Sequence, residues 1–171
     1  MSLEETGSLP IRVAIGLLFL ISAFACGKDA GAREAAAADT ALVFPARPEL
    51  FLLGGIAVMA LGGLSVLLGI FPRLGAVALA LFLVPAAMIH FRKAAQAEAL
   101  KQAFLSEHGG SSAARTTVQQ LGDLAWIGNF TSALKNLILI APTLYLALAG
   151  VEPMLVGLGA DGTLRGLLVD P

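Results

Sequence analysis

The few side chains of this sequence that could do chemistry lie within long apolar runs or at their ends. Arg12, His90 and Lys135 are ionisable residues in such positions, and an ionisable group at membrane depth is a functional candidate by default. The imidazole of His90 could ligate haem iron, hydrogen-bond a quinone carbonyl or carry a proton near neutral pH. A bis-histidine haem would need His108, which lies in a Gly- and Ser-rich stretch, so haem is not expected, although a methionine ligand stays open.

Each of these candidates also has a simpler interpretation. Arg12 and Lys28 bracket the first apolar run and could bind an anionic headgroup or a sulfur oxyanion, but they could equally fix the depth of a helix in the bilayer. Cys26 could carry a persulfide, yet a lone cysteine without a resolving partner is more often a small buried residue. An interfacial role is the corresponding alternative for His90.

The sequence lacks the motifs of a complete catalytic centre. It has no C-x-x-C, no paired-histidine motif, no phosphate-binding loop and no nucleotide fingerprint. A single cysteine can form neither an internal disulfide nor a zinc site, and no metal site is predicted. The net charge of −1 argues against a nucleic-acid partner. These features favour a protein without independent catalytic activity.

The elements that position the candidates are membrane-length helices. Hydrophobic residues make up 57% of the 171 residues, charged residues 13%, and mean hydropathy is +0.85, whereas ordinary soluble domains are about 25% charged. The segment Leu50–Ile70 has no charge and no Pro and would be about 31 Å long as a helix, close to the ~30 Å hydrocarbon core. The sequence predicts four spanning helices, at residues 9–26, 50–70, 74–91 and 134–151. Glu4 and Glu5 favour a retained first helix over a cleaved signal.

The predicted fold is all-α, an integral membrane four-helix bundle in a single domain of residues 1–171. A loop at 27–49 is expected to contain a short surface helix over Ala30–Ala41. The polar segment 92–133 is predicted to lie at the membrane interface as an amphipathic segment between helices three and four, with Ala97, Leu100 and Phe104 on one face. Asn129 or Thr131 is expected to cap helix four. The tail at 152–171 has a turn signal, but its structure is left open.

Small residues and two anchors are the predicted packing features. Gly55, Gly62 and Gly69 recur every seven residues in the second helix and, with Ser65, favour a close helix-packing face; the alternative is that Gly is simply common in membrane helices. The stretch Phe71-Pro72-Arg73 predicts a tight turn between helices two and three. The predicted interfacial anchors are Arg73 and Trp126.

The order of these features resembles a known family. RVAIGLLFLIS at 12–22 is followed by Gly27-Lys28, by the glycine-spaced helix, by GIFPRLGAVALALFLVPAAMIHF at 69–91, and by Lys135-Asn136-Leu137. The sequence is similar, over most of residues 9–150, to the DoxX family of small four-helix membrane proteins. Many relatives carry an acidic residue near the position of Val58, where this chain is apolar.

The resemblance implies an accessory or structural subunit of a membrane complex, and a quinone-linked redox complex is the specific expectation. Two alternatives stay open: an enzyme subunit of the thiosulfate:quinone oxidoreductase type that uses Cys26, His90 or a basic pair, and a small-solute or lipid carrier, which Pro85 and Pro142 weakly allow. A quinone is the cofactor that the resemblance implies. The lipid bilayer and other membrane subunits are the expected partners, in the bacterial inner (cytoplasmic) membrane with several passes.

Overall fold

Five α-helices make up the part of the chain that a computed structural model describes, residues 3–107 and 111–149. No strand occurs in these ranges, so the all-α prediction is confirmed. The tail at 152–171 and His108 lie outside the described residues. The helices are α1 (Leu3–Gly27), α2 (Ala30–Ala41), α3 (Pro48–Leu68), α4 (Pro72–Glu107) and α5 (Ser112–Ala149).

Four of these helices, α1, α3, α4 and α5, are long and apolar enough to cross a membrane. They expose large apolar side chains on their outer surface, such as Leu61, Leu81 and Ile138, which are 69%, 69% and 70% exposed. Such a large exposed apolar surface is unfavourable in water but compatible with lipid hydrocarbon. By length and composition the chain is therefore an integral membrane protein with several membrane-spanning helices. The short helix α2 spans Ala30–Ala41, the range in which the sequence predicts a surface helix.

A tight turn joins α3 to α4, as the sequence predicts. Gly69 follows the last residue of α3 with φ 74°, a left-handed conformation that Gly adopts without strain. The Ser65 carbonyl accepts the N–H groups of Gly69 and Ile70 at 2.9 and 3.1 Å, and the Ser65 hydroxyl lies 2.6 and 2.9 Å from the carbonyls of Ile70 and Phe71. Pro72 then begins α4. Side chain and backbone together satisfy the polar groups that lipid could not.

The predicted interfacial segment at 92–133 is not a separate element. Residues 92–107 are the second half of α4, and α5 begins at Ser112. No Pro or Gly occurs between Ala86 and Glu107, so nothing breaks the helix where the apolar run ends. At 36 residues α4 is about 54 Å long, well beyond the ~30 Å hydrocarbon core. We call residues 92–107 and 112–130 the arm, and the arm side of the bundle is the side from which it extends.

An ion-pair cluster joins the two helices of the arm. The Lys101 ammonium lies 2.7 Å from both the Asp123 and the Glu98 carboxylates, and its side chain is only 10% exposed. The stem of Lys101 packs on Gly122, where an added Cβ would lie 2.7 Å from the lysine Cδ. Hydrogen bonds to Asp123 and Glu98 raise the pKa of Lys101, so it is a cation at neutral pH.

The variant Lys101→Met is expected to loosen the arm without disturbing the membrane part of the bundle. Methionine keeps the apolar stem on Gly122 but removes both ion pairs. Hydrogen–deuterium exchange should become faster in residues 95–107 and 112–125 and stay unchanged in residues 74–89. Arg115→Met, which removes an exposed cation of the same arm, is the matched control. Equal exchange in the two variants would contradict a holding role for Lys101.

Glycines bring α3 close to α1 and α4. At Gly16 of α1 an added Cβ would lie 2.8 Å from Leu67 Cβ and 2.9 Å from the Gly63 carbonyl oxygen of α3. At Gly62 an added Cβ would lie 2.8 Å from Leu79 of α4. Because glycine has no side chain, the backbones approach closely at both crossings. Below these crossings, toward the arm, the helices separate enough to leave the cavity described next.

Candidate functional site

A cavity of about 1000 Å³ lies between the helices on the arm side of the bundle. Residues of all five helices line it. Its size is at the upper end of the range that small-molecule sites occupy. Most of its wall is apolar, and the apolar lining includes Phe19, Val58, Met59, Phe82, Leu83 and Leu139.

Polar side chains gather where the cavity approaches the ends of α1 and of the apolar part of α4. They come from four helices, and so the fold, rather than any local motif, brings them together. The cavity therefore combines an apolar body with a polar end. This polar end comprises Cys26, Asp39, Thr40, His90, Lys135 and Asn136.

Asn136 is the polar residue of the cavity with the clearest need for a partner. Its side chain is 9% exposed and faces the cavity. Within residues 8–107 and 111–148 no group hydrogen-bonds the amide of Asn136, whereas the buried hydroxyls of Thr40 and Thr143 donate to carbonyls of their own helices at 2.8 and 2.6 Å. The amide atoms are accessible from the cavity, since none of them is among the fully enclosed polar atoms without a partner in these ranges. A ligand with a polar group at this end of the cavity would therefore supply the partner that the protein does not.

His90 enters the polar end with one ring edge already engaged. Its Nδ1 lies 3.4 Å from Oδ1 of Asn129 on α5, and the neighbouring rings of Phe91 and Phe130 meet edge to face with centroids 5.8 Å apart. The Asn129 amide nitrogen donates to the Ala125 carbonyl at 2.8 Å. Asn129 is thus an interior residue of α5 that orients His90, and the prediction that Asn129 or Thr131 caps a helix is wrong because α5 begins at Ser112.

Helix α2 lies over the mouth of the cavity. The Asp39 carboxylate accepts a hydrogen bond from the Lys93 ammonium at 2.6 Å, and the Arg92 guanidinium donates to the carbonyl of Leu42. These contacts fasten the residues that follow α1 to the point where α4 leaves the apolar region. Lys93 and Arg92 are therefore engaged in contacts within the fold, whereas Lys135 is the cation of the cavity lining.

Comparison with known proteins places the chain in a family. A model of the DoxX family matches residues 7–92, half of the chain. The chain belongs to the DoxX family. No curated protein and no solved structure shows significant similarity to it. The match covers α1, α2 and α3 and the apolar part of α4, so the DoxX region supplies Cys26, Asp39 and His90, while Asn129 and Asn136 lie beyond it.

The sequence-predicted candidates of this DoxX protein separate into two groups. Cys26 and His90 both line the cavity. Arg12 lies on the opposite side of the bundle, 4% exposed, where its Nε donates to the Val66 carbonyl at 3.2 Å. Lys28 is exposed at the other end of α1, 4.0 Å from Asp29. Arg12 and Lys28 therefore do not share one ligand.

The predicted packing and anchoring residues lie outside the polar end. An added Cβ at Gly55 would meet the Phe82 ring at 3.0 Å, Gly62 faces α4, and Ser65 and Gly69 form the turn. Arg73 is exposed at the start of α4. Trp126 stacks on Phe130 of the arm, with ring centroids 4.9 Å apart. No group of three or more His, Cys, Asp or Glu side chains that could hold a metal occurs in the described ranges.

Sequence reasoning missed Asn136, Asn129 and Asp39 as site residues. The criterion of an ionisable side chain identifies Lys135 as a candidate but not its neighbour Asn136, which is uncharged. An uncharged amide in a membrane-length apolar run is itself a signal, because lipid offers it no hydrogen-bond partner. Asp39 gave no signal, since it lies in a short helix outside the apolar runs.

Proposed function

We propose that this DoxX protein is an accessory membrane subunit that holds a quinone for a larger redox complex and has no independent catalytic activity. The observation that carries the proposal is the amide of Asn136, which faces the polar end of an otherwise apolar cavity and has no hydrogen-bond partner within residues 8–107 and 111–148. Such a site suits a ligand with one polar head and one apolar body. The bacterial inner (cytoplasmic) membrane, which contains a quinone pool, is the proposed location.

The chemistry of the lining supports a quinone head at the polar end. A quinone carbonyl needs hydrogen-bond donors, which the Asn136 amide and the Lys135 ammonium supply. The aromatic side chains Phe19 and Phe82, which meet edge to face with centroids 6.3 Å apart, provide an apolar wall for a ring and its isoprenoid tail.

The lone cysteine and the exposed apolar residues of the arm support a role as a subunit of a larger complex. Cys26 is the one cysteine of the sequence, so electron transfer through a thiol pair requires a partner protein. The arm extends from the apolar part of the bundle and exposes Leu100, Leu121 and Leu124 at 72%, 62% and 66%. Exposed apolar side chains in that position favour contact with another subunit.

An enzyme subunit of the thiosulfate:quinone oxidoreductase type is the second candidate. Cys26 and His90 line the same cavity, which would place a thiol and a proton carrier beside the quinone. This alternative predicts that the isolated protein reduces a quinone with thiosulfate and that Cys26→Ser abolishes the reaction. A lipid carrier, the third possibility, would hold phospholipid in place of quinone.

Purification from native membranes in mild detergent tests these proposals. We expect quinone at close to one molecule per chain in the extracted lipids, measured by mass spectrometry, and co-migrating membrane proteins on a native gel. A lone protein with no companion would contradict the subunit role. Phospholipid without quinone would contradict the quinone proposal and favour the carrier, and thiosulfate-dependent quinone reduction by the lone protein would favour the enzyme.

A further inference from the structure

We propose that Asn129 is a positioning residue that makes His90 a hydrogen-bond acceptor toward the cavity, so that the cavity binds a ring bearing hydroxyl groups more tightly than the same ring bearing carbonyls. This inference rests on the proposed function, because it concerns the same cavity and the same class of ligand. It adds which of the two redox forms of the ligand the site prefers.

The orientation of the Asn129 amide decides which of its atoms faces the His90 ring. An amide end-group could present either its oxygen or its nitrogen to the His90 ring. The nitrogen of Asn129 is engaged, since it donates to the Ala125 carbonyl at 2.8 Å. The oxygen is therefore the atom that faces His90 Nδ1 at 3.4 Å.

The tautomer of His90 follows from this orientation. An amide oxygen can only accept, so Nδ1 must carry the proton. In a neutral imidazole the other nitrogen, Nε2, is then an acceptor. His90 lines the cavity and Asn129 does not, so the ring edge left for the cavity is the one that carries Nε2.

The preference of the cavity follows from the tautomer. A ligand hydroxyl can donate to Nε2, whereas a carbonyl oxygen would place its lone pairs against those of Nε2. Asn136 offers both a donor and an acceptor and serves either form, and Lys135 donates to either oxygen. Discrimination between the two forms therefore falls on His90 and, through it, on Asn129.

Binding of a decyl-substituted benzoquinone and of its hydroquinone, the product of its two-electron, two-proton reduction, tests the proposal. The full chain in detergent, kept anaerobic, should bind the hydroquinone about fivefold to tenfold more tightly, as expected for one hydrogen bond. Asn129→Ala should reduce that ratio to about twofold or less, by weakening binding of the hydroquinone, by tightening binding of the benzoquinone to a His90 that is free to donate from Nε2, or by both. Thr131→Ala removes an intrahelical hydrogen bond of the same helix and is the control that should change neither constant.

The tautomer gives a second readout that needs no ligand. The sequence has two histidines, so selective ¹⁵N labelling yields two residues to assign, with His90→Gln identifying the signals of His90. We expect a protonated Nδ1 and an unprotonated Nε2 at His90. A protonated Nε2, or equal affinity for the two redox forms in the unmodified protein, would overturn the inference and leave the proposed function standing. Failure to bind either form would overturn the proposed function as well.

Discussion

Gly16→Ala is expected to destabilise the protein by about 1–3 kcal/mol, the usual effect of overpacking, and Gly16→Leu to prevent its accumulation in the membrane. The new Cβ would lie 2.8 Å from Leu67 Cβ and 2.9 Å from the Gly63 carbonyl oxygen. Neither atom is the end of a flexible side chain, so α1 and α3 would have to move apart. Alanine favours a helix over glycine by about 1 kcal/mol, which is smaller than the expected loss of packing.

The matched control for this prediction is Gly54→Ala, also a glycine-to-alanine change within a membrane-length helix. An added Cβ at Gly54 meets nothing within 4 Å, so this variant should be as stable as the unmodified protein or slightly more stable. Thermal unfolding in detergent, followed by the loss of the monodisperse peak in size-exclusion chromatography, measures both. If Gly16→Ala unfolds at the same temperature as Gly54→Ala, the close α1–α3 crossing is not a source of stability.

The glycine pattern illustrates how far the sequence can predict packing. The seven-residue spacing of Gly55, Gly62 and Gly69 indicates one face of a helix. In the structure α3 uses adjacent glycines for different neighbours: Gly62 faces α4, and Gly63 faces Gly16 of α1. Spacing within one helix does not contain this information, because the second contact depends on a glycine 47 positions earlier in the chain.

In the arm, by contrast, local composition indicates a helix but does not fix its direction. The polar composition of residues 92–107 favours a position outside the hydrocarbon, and their apolar residues predict an amphipathic helix. Composition does not say whether that helix turns along the bilayer or continues straight. The structure resolves the choice through α5, because Lys101 reaches Asp123 at 2.7 Å, a contact between residues whose pairing no periodicity predicts.

The polar end of the cavity was the least predictable feature. His90 and Cys26 could be selected because their chemistry is distinctive, but their relation to Asn136 depends on how α1, α4 and α5 are packed. Asn136 attracts attention only when its burial and its lack of a partner within the described residues are both known. A substitution at Asn136 should therefore have different effects on stability and on ligand binding.

Asn136→Leu is expected to stabilise the free protein and to weaken quinone binding at least tenfold. The amide has no partner within the described residues and lies in an apolar wall, so replacing it with an apolar side chain of similar size should stabilise the fold by up to about 1 kcal/mol. Each kcal/mol corresponds to roughly 2–4 °C in the unfolding temperature of a chain of this length. Binding weakens because the ligand head loses its hydrogen bonds to the amide, each contributing about 1 kcal/mol.

Opposite changes in stability and affinity distinguish a ligand site from a structural residue. Thr143→Val, which replaces a fully buried hydroxyl bonded to the Leu139 carbonyl at 2.6 Å, lies on the same helix outside the cavity lining and should leave the affinity unchanged. Unfolding temperature and the dissociation constant of a benzoquinone are measured on the same preparations. A fall in both for Asn136→Leu would mean that the amide has a structural partner in the folded protein. Unchanged affinity would remove Asn136 from the site. A rise in stability together with a loss of affinity is the result expected of a ligand-binding residue, because functional sites commonly trade stability for function.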